Sequence, residues 1–234
     1  MTIKLSDSPI FILGLPRSGT SMIAGALKKS GAWTGTTIPA TPQNPKGFFE
    51  HAHIREQLIK KTLVSLDCDP LGVRSLPLET AEFPDGSLRN QVFKMIQQDG
   101  YRGDRPWLYK DAKLTLLWPM FSKAFPNARW VYVQRDTGSF IDSCLRTPFM
   151  NQHSTERAYW EDFAKSYLTR INALQASGAN CFSISTPNII AGEFSALKQL
   201  IGELELSYSE KKLRKFIAPE YWHGEKASIE KILK

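Results

Sequence analysis

The sequence predicts an α/β fold in which a central parallel β-sheet is flanked by helices on both faces. Short apolar runs alternate along the chain with longer segments of helical periodicity. The segments between successive runs are long enough to contain a helical crossover, which is the connection that parallel strands need. A chain of 234 residues is long enough for one well-packed domain, so we expect 1–234 to form a single unit.

The first predicted strand, Ile10–Leu13, leads into a loop framed by Gly14 and Gly19 and then into a helix of small and apolar residues. This P-loop-like geometry directs backbone N–H groups and a helix N-terminus toward a phosphate. The spacing is that of a Walker A loop, but Thr20 replaces the lysine and Arg17 supplies a cation three residues earlier. We therefore expect an anion to bind here without the usual nucleoside triphosphate and magnesium.

The connecting segments follow in order. A loop rich in glycine, threonine and proline spans 31–47, and long loops inside a domain often carry binding residues. Residues 67–84 are predicted to be an irregular connection because they contain three prolines. Helices are predicted over 52–66, 87–98, 114–124 (with Pro119 disturbing its early turns), 136–145, 154–175, 194–200 and 209–216, and 219–234 as a basic helix.

Three more strands are predicted at 107–110, 129–134 and 180–185. In a parallel sheet the carboxyl ends of the strands lie at one edge, and ligands bind there. Arg17, Lys110 and Arg135 each stand at or just past such a strand end. We therefore expect these three cations to lie near one another.

Arg135 and Ser143 form a second candidate binding site. If a helix begins near Asp136, Ser143 lies about two turns along it and faces the same groove as the guanidinium. An arginine fork beside a hydroxyl suits a phosphate monoester. The plainer alternative is a surface arginine paired with Asp136 or Asp142.

Candidate bases occur in two places. Lys110 and Asp111 end a strand, where they can supply a charge stabiliser and a proton acceptor, or form an ordinary ion pair. Glu50, His51 and His53 follow the long loop and could accept the proton of an acceptor hydroxyl. Histidines in such positions are more often structural.

Together these motifs resemble the sulfotransferases that use 3′-phosphoadenosine 5′-phosphosulfate (PAPS). The resemblance rests on residues 16–21 and on Arg135 with Ser143. Two further segments, 44–50 and Trp107-x-x-Lys110-Asp111, are similar to the bacterial branch of the family. The resemblance covers about residues 10–150. It implies that the 5′-phosphosulfate is bound by Arg17, Ser18, Gly19, Thr20 and Ser21, and the 3′-phosphate by Arg135 and Ser143.

This chain departs from that family at two points. Many cytosolic members carry a catalytic histidine where this chain has Ala112, and a common Tyr-Glu-Asp segment is replaced by 185–188, which leaves the nucleoside contacts open. The resemblance therefore implies a different base, with Glu50 first and then Asp111 and His51. In such a transfer, backbone N–H groups at the helix start, Arg17 and Lys110 can stabilise the charge that develops on the leaving phosphate oxygen.

The function expected is transfer of a sulfuryl group from PAPS to a hydroxyl or amine of a small-molecule or carbohydrate acceptor, with 3′-phosphoadenosine 5′-phosphate (PAP) as product and no metal required. Two alternatives stay open. A P-loop kinase of a nucleotide or small metabolite is disfavoured by the missing loop lysine. A PAP-binding protein that has lost catalysis is kept open by Ala112.

Composition limits the partners and the compartment. A net charge of +7 indicates an anionic partner or good solubility, but the basic residues are not interleaved with aromatic residues as in nucleic-acid-binding segments. Three distant cysteines predict a reducing compartment. Because no signal-peptide-like or membrane-spanning apolar run is present, we expect a cytoplasmic protein; the oligomeric state is not indicated.

Overall fold

A computed structural model describes residues 7–41, 44–78 and 87–217. Its centre is a four-stranded sheet with all neighbouring strands parallel, in the order β2-β1-β3-β4. The strands are β1 (Ile10–Leu13), β2 (Leu108–Lys110), β3 (Arg129–Gln134) and β4 (Asn180–Ser185). This order places β1, and with it the glycine-framed loop, in the interior of the sheet. The predicted parallel α/β sheet is confirmed.

Helices cover both faces of the sheet because each central strand carries apolar side chains on both sides. Phe11 and Trp130 belong to one hydrophobic core, whereas Ile12 and Val131 belong to the other. Strands buried on both faces are typical of parallel sheets.

The helices are α1 (Thr20–Lys29), α2 (Lys60–Ser65), α3 (Leu88–Gln98), α4 (Leu114–Ala124), α5 (Thr137–Arg146), α6 (Pro148–Asn151), α7 (Arg157–Ala176), α8 (Pro187–Ile190), α9 (Ser195–Glu203) and α10 (Glu210–Phe216). Side chains of α3, α4, α5 and α7 fill the core around Phe11, and those of α1, α8, α9 and α10 fill the core around Ile12. The four-residue helices α6 and α8 were not predicted because they are too short to show periodicity.

The helix predicted over 52–66 differs in kind from the others. Residues Ile54–Ile59 form a π-helix that continues directly into α2. Ile54, Leu58 and Ile59 of this π-helix are buried in the core. π-Helical turns are rare and are frequent at functional sites.

Helices α7 and α4 each have one further feature. The aromatic and apolar residues at helical spacing on α7 are core packing: Trp160, Phe163, Tyr167, Ile171 and Leu174 are all buried. Helix α4 has the predicted bounds and continues through Pro119. The basic helix predicted over 219–234 lies outside the described residues. Within the described ranges, no helix has both the length and the apolar character needed to cross a bilayer.

Candidate active site at the carboxyl edge of the sheet

The glycine-framed loop joins β1 to α1 at the carboxyl edge of the sheet. Gly14 and Gly19 have φ angles of +149° and +84°, where glycine is favoured. A Cβ atom at Gly14 would lie 2.7 Å from the carbonyl oxygen of Val133, and one at Gly19 would lie 2.9 Å from the Thr186 side chain. Both positions therefore require glycine for space as well as for conformation.

Two residues between these glycines have features typical of a binding loop. Arg17 adopts a φ of +66°, and such backbone strain in a non-glycine residue is concentrated at functional sites. Ser18 is 1% exposed, and its hydroxyl has no hydrogen-bond partner among residues 7–41, 44–78 and 87–217. Because buried polar groups are nearly always paired, this hydroxyl is a candidate ligand-binding group.

Arg135 lies directly against this loop. Its guanidinium donates a hydrogen bond to the carbonyl oxygen of Arg17, which is 118 residues away in the sequence. Arg135 is held at this position because the next residue, Asp136, caps α5 by accepting from the Ser139 N–H at 2.8 Å. Ser143 is buried on the same helix, and the prediction that its hydroxyl faces the guanidinium stays a prediction.

The two acids near Arg135 differ in their contacts. Asp142 pairs with Arg157, whereas the hydrogen bond from Ser139 and the charge of Arg135 both lower the pKa of the Asp136 carboxyl. Arg135 therefore contacts the loop through the Arg17 carbonyl, and its charge also acts on Asp136.

Both arginines act on one buried thiol. Burial raises the pKa of Cys144 to about 12, whereas the charges of Arg17 and Arg135 act in the opposite direction. Arg17 and Arg135 are therefore both near Cys144, whereas the expected convergence of the two with Lys110 stays a prediction.

Lys110 joins the site through an ion pair. It lies beside Ile12 in the sheet register, and its Nζ donates to Oε1 of Glu50 at 2.7 Å. Lys110 is 3% exposed and Glu50 is 7% exposed. Arg55 contacts the other oxygen of Glu50, with its Nε atom 2.9 Å from Oε2. The buried carboxylate thus has a separate cation at each oxygen, which offsets the cost of removing it from water.

Glu50 is oriented by the residue before it. Phe49 has a φ of +57° and is buried against Phe216 of α10, with ring centroids 6.0 Å apart. Gly25 of α1 makes room for both rings, since a Cβ there would lie 2.2 Å from Phe216 and 2.8 Å from Phe49. The backbone that carries Glu50 is therefore fixed between α1 and α10.

Ser21 of α1 contacts the segment 44–48, which leads to Phe49 and Glu50. Its hydroxyl donates to the carbonyl oxygen of Phe48 at 3.3 Å and accepts from the Asn44 side chain at 3.2 Å. Thr20 is buried at the first residue of the helix. The phosphate contacts expected of Ser18, Gly19, Thr20 and Ser21 remain predictions.

His51 anchors the 31–47 loop. Its Nδ1 accepts from the Ile54 N–H at 3.4 Å, and its Nε2 lies 3.2 Å from Asp99, which also accepts from the Thr36 hydroxyl at 2.7 Å. Burial lowers the pKa of His51, and the Asp99 charge opposes this effect. Both ring nitrogens of His51 face protein groups, as both oxygens of Glu50 do, so the choice of base between these two residues stays a prediction. His53 is exposed.

Asp111 is surrounded by donors. Both the backbone N–H and the Nζ of Lys113 lie 2.9 Å from its Oδ1, and the Tyr109 hydroxyl donates to Oδ2 at 3.0 Å. Burial raises the pKa of Asp111, but the charges and hydrogen bonds of Lys113 and Lys110 outweigh burial and lower it overall. The ion pair of Asp111 is with Lys113 and not with Lys110, which pairs with Glu50 instead, and whether Asp111 acts as a base stays a prediction.

Residues 9–210 match the Sulfotransferase family. The chain belongs to this family. A search of curated proteins found no match.

Solved structures of sulfotransferases share the fold. The sulfotransferase domain of the Synechococcus PCC 7002 olefin synthase is 15% identical over 95% of this chain and 88% of its own length, with a TM-score of 0.60. A sulfotransferase from Mycobacterium tuberculosis H37Rv is 16% identical over 92% of this chain and 71% of its own length, with a TM-score of 0.52. A sulfotransferase from Alicyclobacillus acidocaldarius is 13% identical over 98% of this chain and 96% of its own length, with a TM-score of 0.53.

Sequence reasoning missed two residues that lie at this candidate site. Thr186 follows the end of β4 and packs against Gly19, so the rule that ligands bind at strand ends could have found it. Arg55 had no comparable signal, because it lies among the polar residues of an ordinary amphipathic pattern. Only its contact with Glu50 distinguishes it.

Proposed function

We propose that this sulfotransferase moves a sulfuryl group from PAPS to a hydroxyl or amine of a small-molecule or carbohydrate acceptor and releases PAP. The observation that carries the proposal is the hydrogen bond from the Arg135 guanidinium to the Arg17 carbonyl. It joins the two predicted phosphate-binding motifs at one edge of the sheet. Membership of the family supports the class of reaction.

The residues of the glycine-framed loop suit the 5′ end of such a donor. The buried Ser18 hydroxyl lacks a partner within the described ranges, and an oxygen of the phosphosulfate would supply one. Helix α1 begins at Thr20, directly after the loop, and the N-terminus of a helix favours an anion. At the 3′ end, the Arg135 guanidinium and the Ser143 hydroxyl would bind a phosphate, which guanidinium groups bind in a bidentate manner.

PAPS supplies an activated sulfuryl group whose leaving group is a phosphate oxygen. Glu50 would accept the proton of the acceptor as the acceptor oxygen attacks in line. Lys110, 2.7 Å from Glu50, and Arg17 would stabilise the negative charge that develops on the leaving oxygen. This scheme requires no metal, because a sulfuryl group carries less negative charge than a terminal phosphoryl group.

Nucleotide binding to the wild-type protein and to Arg135→Ala tests the donor assignment. Only PAP carries a 3′-phosphate, so loss of the guanidinium should weaken PAP binding by roughly 10- to 100-fold, as expected for a charged hydrogen bond, with little effect on 5′-AMP. Arg146→Ala, an exposed arginine at the end of the same helix, is the matched control. Isothermal titration calorimetry with both nucleotides measures the difference.

Three outcomes would change the assignment. Equal losses of PAP and 5′-AMP affinity in Arg135→Ala would contradict the 3′-phosphate site. Magnesium-dependent turnover of ATP would favour the kinase alternative. Tight PAP binding without sulfated product from a broad panel of hydroxyl and amine acceptors would favour a binding protein.

We also propose that the protein acts in the cytoplasm. Cys68, Cys144 and Cys181 are free thiols, which suits a reducing compartment. Burial raises the pKa of Cys144 and of Cys181, so neither thiol is a ready nucleophile. Fractionation of cells that express the full chain tests the location.

A further inference from the structure

The carboxylate of Glu50 is held between cations from two different elements. Lys110 comes from β2 of the rigid sheet and contacts Oε1 at 2.7 Å. Arg55 comes from the π-helix and lies 2.9 Å from Oε2. Each oxygen therefore has a cation of its own, although one cation would be enough to neutralise the charge.

Lys110 has two roles if the proposed function holds. It pairs with Glu50 in the structure, and during transfer it stabilises charge on the donor's phosphate oxygen. A positive charge that already neutralises an adjacent carboxylate gives little net stabilisation to a second anion. The charge of Lys110 becomes available to the donor only if another cation neutralises Glu50. This holds whether Lys110 moves to the donor's phosphate or bridges Glu50 and that phosphate.

Arg55 is placed to be that second cation. The Lys60 N–H donates to the Arg55 carbonyl, the i→i+5 bond of a π-helix. The guanidinium of Arg55 also donates to Glu56 at 2.7 Å, and Glu56 accepts from Lys60 at 2.7 Å. These contacts restrict the side chain of Arg55 and leave its Nε atom beside Glu50.

We propose that Arg55 is a positioning residue that keeps Glu50 neutralised and oriented while Lys110 acts on the donor. The inference rests on the proposed function and adds a residue to it. It requires that Arg55 affect donor binding only through Glu50, without contacting the nucleotide itself.

A double-mutant cycle on PAP affinity tests this requirement. In Arg55→Gln, binding PAP would draw Lys110 away from a buried carboxylate that has no other cation, so affinity should fall about tenfold, or about 1.4 kcal/mol. In a Glu50→Gln background the same change should alter affinity less than about twofold, because no carboxylate remains to be neutralised. Arg55→Lys, which keeps the charge, should restore most of the affinity.

Lys60→Gln is the matched control. It removes a cation from the same helical segment, but one that pairs with Glu56, and it should leave PAP affinity within about twofold of wild type. Thermal melts of each variant exclude unfolding as the cause of a loss. If Arg55→Gln does not fold, the comparison of Glu50→Gln with Glu50→Gln/Arg55→Gln still tests the proposal.

The outcomes separate this inference from the proposed function. Losses that add in the double variant, no loss in Arg55→Gln, or a loss in Arg55→Lys as large as in Arg55→Gln would overturn the role of Arg55 alone. PAP binding with the expected cycle but no turnover of PAPS would overturn the transfer reaction and leave the charge-pairing role intact. A wild-type protein that binds no PAP would overturn both.

Discussion

Replacing Gly19 with alanine should damage both the stability of the fold and its nucleotide site. At a φ of +84° an alanine costs about 1–2 kcal/mol relative to its preferred conformations. The new Cβ would also lie 2.9 Å from a methyl group of Thr186, which is 2% exposed and has little room to move. Overpacking of this kind adds at least about 1 kcal/mol, so the free energy of unfolding should fall by about 2–4 kcal/mol in total.

Gly178→Ala isolates the conformational part of this loss. Gly178 has a φ of +81°, but nothing lies within 4 Å of a Cβ built there. It should therefore lose only about 1–2 kcal/mol, and PAP affinity should not change, since Gly178 precedes β4 at the edge opposite the site.

Urea denaturation and PAP calorimetry on both variants provide the measurements. Gly19→Ala should be less stable than Gly178→Ala by about 1 kcal/mol or more, which corresponds to about 2–4 °C in melting temperature for a chain of this size. It should also bind PAP at least about tenfold more weakly, because the N–H groups that begin α1 would be displaced. Equal stability of the two variants, or unchanged PAP affinity in Gly19→Ala, would refute the reasoning.

Three further changes give separate tests. Glu50→Gln should lower turnover by about 10²- to 10⁴-fold in a sulfation assay without weakening PAP binding, and unchanged turnover would exclude Glu50 as the base. Gly25→Ala should destabilise the fold by up to about 2 kcal/mol in thermal melts, because its Cβ would lie 2.2 Å from a Phe216 ring atom. Gly202→Ala has open space around the new Cβ and should be neutral or stabilising by up to about 1 kcal/mol. Equal effects of the two changes would contradict the packing argument. Burial lowers the pKa of His51 below 6.5, so the folded state favours the neutral ring. The contribution of the neutral ring to the free energy of unfolding is fully present above pH 6.5 and is lost as the pH falls through the lower pKa of the folded state. His51→Gln should therefore flatten the fall in urea midpoint below pH 6.5, and an unchanged slope would contradict this.

The strands and the glycine-framed loop could be predicted because their signals are local. Each strand is a short apolar run that must be buried on both faces, and β1, β3 and β4 have the predicted bounds. The loop is set by the spacing of two glycines after a strand. The strand-end rule then brought Arg17 and Arg135 to one edge, where they are in contact. The extent of the domain and the roles of the site residues stay predictions.

The tertiary structure alone decided which charges pair. Glu50 and Lys110 are 60 residues apart, and no spacing rule links them; they meet because the segment at 48–51 is fixed between α1 and α10 beside the end of β2. Arg55 lies in a pattern that indicated an ordinary amphipathic helix, but the π-helix places it at Glu50. The sequence by itself determined the sheet, the loop and the family motifs, because burial and backbone conformation depend on neighbouring residues. The partners of a charged side chain depend on where distant segments pack, so only the folded chain determines them.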